Sequence, residues 1–215
     1  MPTGSELLGE NEARTRLNMY IRDLKNPAIE YVSVKISTLF SQLNPLAFGH
    51  CVSILAERLA QLYRTADSHK YERHDGTQVS KFVNLDMEAY QDLEMTAAAF
   101  RHTLDQNEFK HTFAGMALQA YLPDSFQILK DITAWARKRL DAGGSPVKVR
   151  IVKGANMEME SFEAAVYDWP LATFDTKLET DANWKRMVEF AMQPDNIKAV
   201  RLGVASHNLL DLAYA

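Results

Sequence analysis

Cysteine is nearly missing from this chain. Cys51 is the only one, so no disulfide can form within it. It falls on the apolar side of a helical pattern and reads as a small buried hydrophobe. No Cys-x-x-Cys or His-Glu-x-x-His spacing gathers ligands for a metal, and none is expected. Neither sign of charge is in great excess: 24 Lys and Arg face 28 Asp and Glu, a net charge of −4. That balance argues against nucleic acid or a membrane surface as the main partner. No apolar run is long enough to span a bilayer and no signal-peptide core precedes the first helix pattern, so the expected location is the cytoplasm. A Gly-x-Gly-x-x-Gly fingerprint after the first strand is also lacking, and a dinucleotide-binding sheet would tend to show one. What is present is a core-forming composition, 47% hydrophobic over 215 residues.

Strand period alternates with helical period along the chain. Strands are expected at Tyr31–Ser37, Phe82–Asp86, Met116–Tyr121, Val147–Lys153 and Val200–Ser206, with a short extended piece at Ala172–Phe174. Between them apolar residues recur at helical spacing: Phe48 to Leu62, Leu93 to Leu104, Phe126 to Leu140, Phe162 with Val166, and Trp184 to Ala191. Pro123-Asp124 should open the third of these helices and Gly143-Gly144 should stop it. Asp181 reads as the N-cap of the helix with Trp184. Residues 67–81 read as a polar surface excursion. About six βα units imply a parallel sheet, either doubly wound or closed as a (β/α)₈ barrel.

The strand ends favour the barrel. Lys35, Asp86, Gln119, Arg150 and His207 stand at the C-terminal ends of different strands, where a barrel gathers its site. Each has an ordinary alternative: an edge lysine, a helix-capping Asp, a Gln bonded to backbone. Together, buried polar groups left unpaired would cost about 1–3 kcal/mol each, so they are expected to serve one another or a ligand. In Val147-Lys148-Val149-Arg150-Ile151-Val152-Lys153 the valines at 147 and 149 and Ile151 share one face, and Lys148, Arg150 and Val152 the other. Gly154 then lets backbone come close while Lys153 offers charge, a plausible edge for an anionic cofactor.

Val34-Lys35-Ile36-Ser37, Asn84-Leu85-Asp86-Met87-Glu88, Leu118-Gln119-Ala120-Tyr121, Arg150-Ile151-Val152-Lys153-Gly154-Ala155 and Ala205-Ser206-His207-Asn208 resemble, in order, the strand-end motifs of the proline dehydrogenase family. The likeness covers nearly the whole chain. It is nearest to the proline dehydrogenase part of bifunctional bacterial enzymes that also carry a pyrroline-5-carboxylate dehydrogenase. The resemblance implies a distorted (β/α)₈ barrel on which L-proline is oxidised to Δ1-pyrroline-5-carboxylate, with FAD as hydride acceptor and a quinone as the expected final acceptor. It implies Lys35 for the substrate carboxylate and Asp86 and Arg150 as catalytic, with Arg150 beside the flavin ring. It implies FAD contacts at Met87, Gln119, Val152, Lys153, Gly154, His207 and Asn208, and a further segment at Thr176 and Lys177. After Lys153-Gly154-Ala155 many relatives carry aromatic residues, whereas this chain has Asn156-Met157.

On this reading residues 1–215 form one partial barrel domain, of about six to seven βα units. The family's first and last strands, and the last helix with its carboxylate-binding arginine pair, are absent. The C-terminal segments of the same polypeptide are thus expected partners. The chain alone is expected to be inactive, and to associate with copies of itself. Within a longer polypeptide, attachment to the inner membrane surface is compatible with a quinone acceptor. Two alternatives stand beside this reading. One is a Schiff-base lyase using Lys35 or Lys153 as a desolvated nucleophile. The other is a fragment that folds without chemistry.

Overall fold

The structure, a computed structural model, describes residues 4–215. Its backbone falls into two compact units. One runs to Asp86 and includes Met95–Ala114; the other comprises Met87–Glu94 and Gly115–Ala215.

The first unit opens with α1 (Gly4–Lys25), which turns Ala13, Leu17 and Leu24 inward. Strand β1 (Tyr31–Lys35) follows, with Val32 and Val34 buried at period two. A single turn, α2 (Ile36–Leu39), leads to α3 (Phe48–Ser68). The latter buries Val52, Leu55, Leu59 and Leu62 on one face, together with Cys51 as expected. Residues 67–81 lie mostly at the surface, as read, but as a hairpin and not an irregular loop: β2 (Lys70–Glu72) pairs antiparallel with β3 (Gln78–Ser80). The hairpin turns through Gly76 at φ +80°, and the Asp75 side chain accepts from Thr77 N–H at 2.9 Å. Lys81 is buried beyond it and donates to the Asn26 carbonyl. Strand β4 (Phe82–Asp86) then lies parallel to β1, with Tyr31 opposite Phe82 and Lys35 opposite Asp86. The Tyr31 and Phe82 rings stack at 5.4 Å. Helix α4 (Leu93–Leu104) buries Leu93, Ala97, Phe100 and Leu104, the spacing read in the sequence.

In the second unit β5 (Gly115–Gln119) is buried along its whole length, as a strand covered on both faces must be. After α5 (Ser125–Asp141), Gly143 at φ +79° and the Gly144 N–H bond to Arg139 O close the helix where the glycine pair predicts. Strand β6 (Val147–Val152) buries Val147, Val149 and Ile151 and half-exposes the alternate face. Helices α6 (Met157–Tyr167), α7 (Lys177–Ala191) and α8 (Asn196–Ala199) precede β7 (Val200–Val204), and α9 (Leu209–Tyr214) follows it. β6 lies between β5 and β7, parallel to both. The alternation of parallel strands with helices is the α/β class expected from the sequence.

Two local readings change. Ala172–Phe174 is not a strand; it makes one sheet-like bond, Phe174 N–H to Tyr121 O at 2.9 Å. Asp181 does not cap α7. The helix starts one turn earlier at a Thr176–Glu179 capping box. Among the described residues no helix is long and apolar enough to cross a membrane.

Candidate cofactor and substrate site

In the first unit the parallel register sets Lys35 and Asp86 side by side at the ends of β1 and β4. The Asp86 carboxylate is already oriented. Ser33 Oγ donates to its Oδ2 at 2.7 Å, and the buried Asn84 donates from Nδ2 to its Oδ1 at 2.9 Å. All three side chains come from the two paired strands, so their mutual geometry is fixed by strand register.

In the second unit Gln119 ends β5 and is buried. Its Nε2 reaches the Met87 and Glu88 carbonyls only at 3.4 and 3.5 Å, long for hydrogen bonds. Its Oε1 is buried with no hydrogen-bond partner among the described residues. Two residues on, Tyr121 pins three segments. Its N–H donates to Lys153 O at 2.8 Å, its C=O accepts from Phe174 N–H, and its ring covers Gly154. Gly154 sits at φ +144°, where only glycine is at ease, and a Cβ there would overlap the Tyr121 ring. Burial, and next the Glu160 charge, push the Tyr121 hydroxyl well above its usual range, so it stays neutral.

Arg150 and Val152 project from the half-exposed face of β6. Gly203 of β7 lies opposite Arg150; a Cβ there would come within 3.1 Å of Lys148 Cε and 3.4 Å of Arg150 Cβ. A glycine at this register position leaves both long side chains room.

Lys153 is paired within the chain. Its Nζ lies 2.5 Å from Asp181 Oδ1 and 2.6 Å from Asp211 Oδ2. Burial alone would lower its basicity, but the bonds to Asp181 and Asp211 outweigh this and raise it. A Schiff-base amine needs the opposite shift, so Lys153 is a poor nucleophile. The same contacts hold the Asp211 carboxyl below its usual range, first through Lys153 and then through Ser206. Lys177 is exposed and pairs with Asp181 Oδ2 at 2.5 Å. Thr176 is occupied as N-cap: Oγ1 accepts from Glu179 N–H at 3.2 Å and its own N–H donates to Glu179 Oε2 at 3.0 Å. Asn208 caps α9 through Oδ1, which accepts from Leu210 N–H at 3.0 Å. His207 beside it is exposed, and Met87 is buried.

The register therefore joins Lys35 with Asp86 in one unit. In the other, β6 and its flanking segments gather Gln119, Arg150, Val152, Lys153 and Gly154, with Thr176, Lys177 and Asn208 tied in through helix starts. Sequence reasoning missed Tyr121, Asp181 as an ion-pair partner, and Asp211. It also missed a carboxylate group in the second unit. There Asp92 is pushed up to about 6 by burial, then by Glu88, Glu163 and Glu160. Glu160 is buried and accepts from Tyr90 N–H at 2.7 Å. The one sequence signal for the ion pairs was the i,i+4 spacing of Lys177 and Asp181. Among the described residues no cluster of His, Cys, Asp and Glu could hold a metal.

A family model described as proline dehydrogenase matches residues 4–215. Among solved structures, the chain is similar to proline utilization A (PutA) from Corynebacterium freiburgense, at 43% identity and a TM-score of 0.88. It is also similar to PutA from Bdellovibrio bacteriovorus inactivated by N-propargylglycine, at 33% identity and a TM-score of 0.82. A Bradyrhizobium japonicum PutA mutant, at 22% identity and a TM-score of 0.79, shares the fold. The alignments cover 96% of this chain, but only 21%, 22% and 21% of the three structures in turn, so the chain spans about a fifth of their length. No curated protein matches.

Proposed function

The chain belongs to the proline dehydrogenase family, and from that premise we propose that it carries part of a site where L-proline is oxidised to Δ1-pyrroline-5-carboxylate. FAD, when bound, would accept the hydride, and a quinone would take the electrons onward. The observation that carries this reading is positional. Lys35, Asp86 and Gln119 are the last residues of strands β1, β4 and β5, Arg150 and Val152 lie at the end of β6, and His207-Asn208 follow β7. That is the end at which α/β folds of this kind build ligand sites. The B. bacteriovorus relative is inactivated by N-propargylglycine, an N-alkylated amino acid with proline's grouping of secondary amine and carboxylate.

The residues present fit the cofactor. The orphaned Gln119 Oε1 is an acceptor suited to the imide N–H of a flavin ring. Gly154, at φ +144°, lets the backbone turn tightly against the Tyr121 ring next to the proposed contacts. Met87, Val152, Thr176, Lys177, His207 and Asn208 complete the proposed contacts, with Lys153 beside them. Arg150 supplies a fixed positive charge where negative charge develops, which lowers the barrier without reorganisation. Lys35 pairs with the substrate carboxylate. Asp86, held by Ser33 and Asn84, offers a preorganised acceptor to the substrate amine.

Two measurements test this. Titration of the purified chain with FAD, followed by flavin fluorescence, should show saturable quenching that Gln119→Ala weakens. A chimera in which the chain replaces the matching fifth of the C. freiburgense protein should oxidise L-proline with an artificial electron acceptor. No saturable binding by the chain, together with a folded chimera that leaves L-proline untouched, would overturn the reading.

A further inference from the structure

Lys153 lies directly after β6, and its neighbours come from two distant segments. Asp181 stands in the second turn of α7 and Asp211 in the first turn of α9. Each carboxylate has a second partner: Lys177 Nζ on Asp181 Oδ2 at 2.5 Å, and Ser206 Oγ on Asp211 Oδ2 at 2.7 Å. The Lys153 ammonium also lies 5.7 Å from the centre of the buried Trp184 ring. Two ammonium groups thus meet two carboxylates, and the local charge sums to zero. A cation neutralised in this way projects little field beyond its own partners.

The three segments it joins are those that carry Val152–Gly154, Thr176–Lys177 and His207–Asn208. We propose that Lys153 is a positioning residue, an ionic clamp that holds these three segments in register for the cofactor, and not a charge that neutralises the cofactor's phosphates. The clamp is a property of the chain itself; its consequence for FAD rests on the functional reading above.

The two roles separate when the acidic partner is changed. Asp211→Asn keeps the shape of the side chain and removes the ion pair to α9, while the ammonium keeps Asp181. If Lys153 were a phosphate charge, Asp211→Asn would leave FAD binding intact or tighten it, while Lys153→Met would weaken binding and flatten its salt dependence. As a clamp, Asp211→Asn and Lys153→Met each weaken FAD binding by a similar factor, roughly fivefold or more, and the double variant is no worse than either. The salt dependence of the remaining affinity is unchanged, and Lys153→Arg restores part of the loss.

The clamp is also read without cofactor, from urea unfolding of the parent, both single variants and the double variant, followed by tryptophan emission and circular dichroism. Non-additive losses are expected. Additive losses, or tighter FAD binding by Asp211→Asn, overturn the clamp. A chain that binds no FAD but shows the non-additive unfolding cycle overturns the functional reading and leaves the clamp standing.

Discussion

Gly154 is the residue at which this site tolerates least change, for two independent reasons. Its φ of +144° is costly for any L side chain, and the space a Cβ would need is filled by the Tyr121 ring. Gly154→Ala should destabilise the chain by about 1–3 kcal/mol in urea unfolding. Adding Tyr121→Leu should recover only part of this, because the backbone strain remains; full recovery would show that the ring alone matters. Asp92 makes a second prediction, in pH. Burial, then Glu88, Glu163 and Glu160, push its carboxyl up to about 6 in the folded chain. The folded state therefore holds a proton that the unfolded state, near 3.9, has already lost. Stability from this group is full below about pH 4 and is lost as pH rises through about 6. Asp92→Asn should melt with the parent near pH 4 and be more stable at pH 7, by on the order of 1–2 kcal/mol after solvent screening. A difference in melting temperature that does not change with pH would remove the argument. Residues of this kind divide by how local their cause is. Arg150 and its inward neighbours were legible, because strand period depends only on adjacent residues. The Lys153 partners were not, because Asp181 and Asp211 meet it only after the chain has folded back twice.

At the scale of elements, legibility followed the width of the apolar stripe. α3 and α5 bury broad faces and their spacing was plain in the sequence. α1 buries Ala13, Leu17 and Leu24 along a mostly polar helix, too narrow a stripe to stand out. The β2–β3 hairpin has strands of three residues, too short for a period, although Asp75-Gly76 was a turn signal in plain view. Ala172–Phe174 is not a strand for the converse reason: an Ala-Thr-Phe triplet with strand-forming residue types but no ladder to join. The start of α7 was misplaced because Asp181 is a good cap by type, yet Thr176 with Glu179 three residues on forms the reciprocal box. Thr176→Ala should cost about 0.5–2 kcal/mol, and Thr176→Ser should restore most of it. Hydrogen exchange should show the loss confined to the first turn of α7. Protection lost evenly along the helix would mean that Thr176 acts through packing.

At the scale of the whole molecule, the repeating order of parallel strand and helix was legible, because each repeat writes its own period into the sequence. What the order leaves open is which face of each strand meets a ligand, and for β6 the burial pattern supplies the answer. Val147, Val149 and Ile151 are buried, so Lys148, Arg150 and Val152 face the other way. Gly203 opposite Arg150 keeps that side chain from being displaced. The guanidinium is therefore carried on a rigid strand and not on a loop, a requirement for electrostatic stabilisation, since a charge that must reorganise loses most of its effect. The chain covers about a fifth of the relatives' length, so the consequence is measured in the chimera with the C. freiburgense protein. Arg150→Met keeps the length of the side chain and removes its charge. It should lower kcat for L-proline by about 10²–10³, equivalent to about 2.7–4 kcal/mol, while FAD affinity falls far less. The flavin reduction potential should fall too, because a positive charge no longer favours the electron-rich form. If the variant bound FAD normally, kept its potential and turned over at the parent rate, Arg150 would be a surface arginine of β6 and nothing more. If FAD affinity collapsed while kcat at saturation held, its role would be cofactor binding, and the stabilising charge would have to come from elsewhere.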